Sequence, residues 1–228
     1  MQTTHVGSLP FTDLTQALNF TFKFDLPVLF SLPQLDPQQF MGRDILFLLE
    51  QSKRHQLSPF NYKEFSESLD KHGKSAYKYQ LIGPYSFYKM NLINGFSFEE
   101  SLNLLTEYFS TLLKFLAQKH QVLFILDEPF LPEASSLQIQ SIIDLVNQLE
   151  SISQVSSGIH CCGKIKPGQF KYFSNHLLNI DMSLYDIGEL TEYNFKFPGT
   201  SVQLEREIIN SICKSSEYIS PSCGLALN

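Results

Sequence analysis

Basic residues are scarce in this chain: 17 Lys and Arg stand against 23 Asp and Glu in 228 residues, a net charge of −6. A surface so charged offers no basic face to a polyphosphate or an anionic membrane, so neither nucleic acid nor membrane is expected as a partner. Long hydrophobic runs are missing too. No apolar stretch approaches the ~18 residues that a membrane span needs. Met1-Gln2-Thr3-Thr4-His5 also lacks the charged and apolar regions of a secretory signal. The expected location is cytoplasmic. Cysteine is sparse, with 4 residues. At this length and expected location, that number favours thiols or metal ligands over a disulfide framework. No low-complexity linker or internal repeat interrupts the sequence, and a single domain over residues 1–228 is expected.

What the chain does contain is apolar bulk, 43% hydrophobic residues including 20 Phe, enough to fill a sizeable core. Short apolar runs alternate with longer amphipathic ones, a βα rhythm. Eight runs predict strands: "THVGSL" (4–9), "LPVLFSL" (26–32), "AYKYQLIG" (76–83), "VLFILD" (122–127), "SSGIHCC" (156–162), "LLNIDMSL" (177–184), "TSVQLE" (200–205) and "YISPSCGL" (218–225). Helices are predicted from about residue 12, over 38–55 and 62–71, over 97–119 with a Ser97 and Glu100 capping box, and from Ser136 to Leu149. Gly158, Pro167, Pro198 and Gly199 read as loop punctuation. Eight strands with intervening helices predict a (β/α)8 TIM barrel, with an open doubly wound sheet as the alternative. The barrel is short for its type. The chain stops soon after strand eight, so a full final helix is expected to be absent and a homo-oligomer partner to cover that flank.

In such a barrel the chemistry lies at the carboxyl ends of the strands. The candidates there are His5 and Ser8, the Gly83-Pro84-Tyr85 corner, Asp127-Glu128-Pro129, the stretch "GIHCCGK" (158–164), Asp181 and Cys223. Side chains alternate along a strand, so His160 and Cys162 share a face with Cα atoms roughly 6.5–7 Å apart, while Cys161 points the other way. Zinc takes imidazole nitrogen and thiolate sulfur, and a catalytic zinc keeps three protein ligands and one exchangeable position. Cys223, at the end of another strand, is the natural third ligand. The plainer reading is a hydrogen-bonded core histidine beside buried thiols. A redox pair is disfavoured because adjacent cysteines lack the C-x-x-C spacing.

Four pieces in order, "THVGSLPF" (4–11), "ILDEPFL" (125–131), "IHCCG" (159–163) and "SPSCGLA" (220–226), with "LIGPYSF" (81–87) as a weaker fifth, resemble the C-terminal catalytic barrel of cobalamin-independent methionine synthase. The resemblance implies that Zn2+, held by His160, Cys162 and Cys223, binds the thiol of homocysteine as a thiolate that attacks an activated methyl group. It implies Asp127 as the catalytic-site carboxylate on the substrate's amino group, with Glu128 beside it as a further substrate-binding residue. It implies Gly7 and Ser8 as the turn that binds the substrate's carboxylate through backbone N–H groups. On the residues alone, Asp127 and Glu128 read equally as a helix cap, and Gly7-Ser8 as a plain turn.

The departures are informative. The family's sixth strand supplies a glutamate as fourth ligand, whereas this chain offers Asp181 at a shorter spacing, a candidate ligand only. The Asp-x-His of the seventh strand, implied to protonate a folate leaving group, has no counterpart in "TSVQLEREI" (200–208). A corrinoid protein carrying methylcobalamin is therefore the expected donor, because a cobalt leaving group needs no proton. On the second strand the family's glutamate is replaced by nothing clearer than Gln34 or Asp36. Cys213 reads as a helix-buried hydrophobe, and His55, His72, His120 and His176 as surface or helix-end residues. The expected function is zinc-dependent methyl transfer to a small thiol, homocysteine or another. The competing class is a barrel that binds zinc and thiol without turnover. A porphyrin-type decarboxylase is disfavoured, since it has no use for the cysteine set.

Overall fold

The computed structural model describes residues 2–5, 7–39, 61–91, 95–181, 184–186, 199–200 and 218–221. In chain order its elements are β1 (Gln2–Thr3), α1 (Leu14–Thr21), β2 (Val28–Leu29), α2 (Tyr62–Lys71), β3 (Ala76–Ile82), α3 (Pro84–Met90), α4 (Phe98–Leu116), β4 (Gln121–Asp127), α5 (Ser136–Glu150), β5 (Val155–Cys161), β6 (Leu177–Ile180), β7 (Gly199–Thr200) and β8 (Tyr218–Pro221). Tight helical turns at Pro37–Gln39, Leu131–Glu133 and Pro167–Phe173 join them. Most of the helix expected over 38–55, and the stretch 206–214 with Cys213, lie outside the described residues.

The fold is mixed α/β, built on a parallel five-stranded sheet in the order β2-β3-β4-β5-β6. β3, β4 and β5 carry it. β3 and β4 pair along their whole lengths, from Ala76 opposite Gln121 to Ile82 opposite Asp127. Near-continuous apolar runs are what a parallel sheet covered on both faces requires, and Val122 to Leu126 are all buried. A second parallel sheet, β1-β8-β7, sets Gln2 beside Tyr218 and Gly199 beside Ser220. β1 and the segment after it also bond to the β2 region, through Leu26 N to Thr3 O, Ser31 N to Gly7 O and Leu9 N to Ser31 O.

Helices pack over the five-stranded sheet. α4 begins in the expected capping box, with Glu100 N donating to Ser97 Oγ and Ser97 N to Glu100 Oε2, and buries Leu105, Phe109, Leu112, Leu113 and Leu116. α5 begins in a second box, Ser135 with Gln138, and buries Ile139, Ile142, Ile143, Leu145, Val146 and Leu149. Both apolar faces join one continuous core with the sheet, where Phe109 meets Phe124 edge to face at 5.0 Å.

Three details differ from the sequence reading. Gly158 is not loop punctuation: it lies within β5, where a Cβ would come within 2.6 Å of both Cβ and the carbonyl oxygen of Leu177 on β6. His120 stands just past the end of α4, as one reading of it had it, but is buried, its Nε2 3.2 Å from Asp70 Oδ1 beside the Tyr77 ring. The Gly83-Pro84-Tyr85 corner opens a helix, α3, with Pro84 at its first position, where a missing N–H costs nothing. Among the described residues no helix is long and apolar enough to cross a membrane.

Candidate functional site

Register brings the sequence-selected residues of adjacent strands to one level. Asp127, the last residue of β4, stands opposite His160 on β5, and His160 stands opposite Asn179 on β6. Residues paired in register point to the same face of a sheet. Their level is the carboxyl end of the strands, and Cys162 follows β5 by one residue.

Asp127 is partly buried, but its Oδ1 is shielded from solvent and has no hydrogen-bond partner among the described residues. Burial raises the affinity of the Asp127 carboxyl for its proton; the nearby His160 opposes this, Cys162 reinforces it, and the neighbouring Gln80 side chain and the charge of Lys78 oppose it. Gln80, on β3, likewise has a shielded and unpartnered Oε1. Two buried acceptors lacking a donor form an arrangement that costs free energy until something donates to them.

His160 is 2% exposed and hydrogen-bonds through Nδ1 to Asn179 Oδ1. Asn179 Nδ2 in turn donates to Ser220 Oγ on β8 at 3.2 Å. The two neighbouring cysteines part company: Cys161 is fully buried in the core with its thiol donating to Gly163 O at 3.4 Å, whereas Cys162 is partly exposed. Burial pushes the Cys161 thiol far above its ordinary range, so it is held as an inert thiol.

The remaining candidates divide. Gly7 lies against Gln80, where a Cβ would be 3.2 Å from Gln80 Cβ, and Ser8 Oγ shares a hydrogen bond with Ser31 Oγ at 3.0 Å. The Gly7-Ser8 turn thus lies against Gln80, one of the groups that act on the Asp127 carboxyl. Helix α1 starts only at Leu14, capped by Asp13. Glu128 is committed elsewhere. It is fully buried; Oε1 accepts from Tyr85 N at 2.9 Å, and Oε2 from Ser86 N and Ser86 Oγ at 2.7 Å each, at the start of α3. His5 is also committed, its Nε2 2.8 Å from Thr21 Oγ1 and its ring against Phe20 and Phe24. Asp181 directly follows β6 and is partly buried. Gln34 is exposed and Asp36 partly buried, on the turn after β2. Cys223 lies outside the described residues.

Sequence reasoning passed over four residues of this region. Lys78 is fully buried and donates from Nζ to His5 O at 2.8 Å. Gln80, Asn179 and Ser220 are the others. The signal was present: Lys78 and Gln80 alternate within "AYKYQLIG", and Asn179 is the one polar residue of "LLNI". A polar side chain inside an apolar strand must be satisfied within the fold or by a ligand.

An imidazole and an accessible thiol two residues apart at a strand end make a donor pair suited to a thiophilic divalent metal such as zinc, and Cys161 does not compete because it is buried among apolar groups. Among the described residues, no three His, Cys, Asp or Glu side chains are grouped closely enough to hold a metal ion. Compared with known proteins, the chain matches no protein-family model and no curated sequence.

Proposed function

We propose that this chain is a zinc-dependent methyltransferase that moves a methyl group onto a small thiol, homocysteine, from a corrinoid-bound donor, on a single short (β/α)8 barrel. The carrying observation is the convergence of Asp127 and His160 at one register level, with Cys162 one residue beyond the strand. All described strand pairs are parallel, and β1 lies beside β8, which supports a closed barrel over an open doubly wound sheet.

His160, Cys162 and Cys223 would hold the metal, with Asp181 as a further candidate. Bound there, zinc would lower the pKa of the substrate thiol and make thiolate available at neutral pH. The chain's own residues do the rest. Asp127 Oδ1 accepts a hydrogen bond from the substrate's ammonium group, and the arriving positive charge offsets the burial that disfavours its carboxylate. Gln80 Oε1 stands ready as a second acceptor. Gly7 and Ser8 face the carboxylate end of the same substrate. Transfer from a corrinoid leaves the bonding electron pair on cobalt and requires no protonated leaving group, in keeping with the lack of an Asp-x-His in 200–208. That same lack favours a second reading, a barrel that binds zinc and thiol without turnover.

Metal content and methylcobalamin:homocysteine methyltransferase activity, measured on one preparation, test the proposal. About one zinc per chain is expected, lost on Cys162→Ala or Cys223→Ala, together with thiol-dependent demethylation. Zinc and thiol binding without demethylation would select the second reading. A protein that holds no zinc and takes up none on incubation would end both.

A further inference from the structure

His160, Asn179 and Ser220 are 2%, 0% and 2% exposed, and they lie on β5, β6 and β8. Buried polar side chains linked across three strands need a reason, since three apolar residues of similar size would fill the same space with no polar group to satisfy. The direction of the chain of bonds supplies one. Asn179 presents its carbonyl oxygen to His160 Nδ1 and its amide nitrogen to Ser220 Oγ. A carbonyl oxygen only accepts, so Nδ1 carries a hydrogen, and in the neutral ring this is the only one. Neutral imidazole in water favours the opposite tautomer, so this state is imposed by the fold.

We propose that Asn179 is a positioning residue: it fixes the His160 ring in the Nδ1–H tautomer, and Ser220 holds the Asn179 amide in the required orientation. The sixth strand then contributes a hydrogen-bond partner to His160 at the level of the site. Ser220 is also three residues before Cys223 in the chain, so one network orients the histidine and anchors the strand that leads to the distant cysteine. Orienting partners of this kind typically change metal affinity 10–100-fold when removed.

The orientation stands independently of the function proposed above; only the metal arm of the test rests on that reading. Side-chain 15N NMR on the metal-free full chain, with His160 assigned by comparison with His160→Gln, reads the tautomer directly. The Nδ1–H pattern is expected in the wild type, lost in Asn179→Leu and retained in Asn179→Asp, whose carboxylate also accepts from Nδ1–H. Ser220→Ala should leave a mixture of tautomers, which keeps the test available if Asn179→Leu does not fold. Zinc titration of the same proteins should show affinity falling about 10–100-fold in Asn179→Leu and returning in Asn179→Asp. An Nε2–H pattern in the wild type, or an Nδ1–H pattern untouched by Asn179→Leu, would overturn the proposal. A wild type that shows Nδ1–H but takes up no zinc would leave the positioning role standing and remove the zinc enzyme.

Discussion

A carboxyl group can be held in place by the same burial that discourages its charge. Glu128 accepts three hydrogen bonds at the start of α3, yet burial outweighs them and pushes its pKa up from 4.5 to about 7. Because the folded-state pKa lies above the unfolded one, this group's stabilising contribution is complete below about pH 4.5 and is lost as pH rises through about 7. The shift corresponds to something on the order of 3 kcal/mol. Glu128→Gln offers one acceptor to three donors, so it should be the less stable protein near pH 5, with the gap narrowing by about pH 8. Denaturant titrations across that range check this, and parallel curves would show that Glu128 does not titrate as described. Gly83 belongs to the same arrangement, since a Cβ there would stand 2.3 Å from Glu128 Oε1. The carboxylate is the end of a flexible side chain, but three hydrogen bonds pin it, so Gly83→Ala should cost about 1–3 kcal/mol. The cysteines give the sharpest contrast in the site: under the zinc reading, Cys161→Ser should keep the metal and Cys162→Ser should lose it, as metal analysis of the two proteins would reveal.

At the scale of elements, the sequence was legible where one local rule decided the outcome. Ser97 and Glu100, and the heptad-like spacing through Leu116, mark α4 because capping and apolar periodicity act within a few residues; Ser97→Ala should cost about 1 kcal/mol of stability, read as a lowered denaturation midpoint. The long strands were equally readable, since β3, β4 and β5 are apolar runs bounded by polar ends. Gly158 reads two ways, as part of the strand over 156–162 and as loop punctuation, because glycine signals both turns and close approaches, and only the position of β6 tells them apart. There the obstacle is backbone as well as side chain, the Leu177 carbonyl oxygen at 2.6 Å. Gly158→Ala should therefore push β5 and β6 apart and cost at least about 2 kcal/mol in equilibrium unfolding. Asn179 was overlooked for a related reason. Attention to titratable side chains singled out Asp181, two residues on, while the neutral amide in the strand interior is the group that touches His160.

At the scale of the molecule, nothing in a local window says that residue 2 lies beside residue 218, yet β1 and β8 pair in parallel at Gln2–Tyr218 and Thr3–Ile219. The βα rhythm made parallel strands predictable; the pairing of the ends depends on the summed twist and tilt of everything between.

The distance in sequence between these two strands matters first on the ribosome. At ordinary rates of synthesis, on the order of 10–40 s separate the appearance of β1 from that of β8. In the last part of that interval, once β5 has emerged, β3, β4 and β5 can assemble with α4 and α5, all close in sequence, while β1 still lacks its partner β8. The nascent chain thus carries a sheet with open edges, a form that invites chaperone binding and pairs readily with a stray strand. Slower translation of the last forty or so codons would lengthen that exposure without altering one contact of the finished protein.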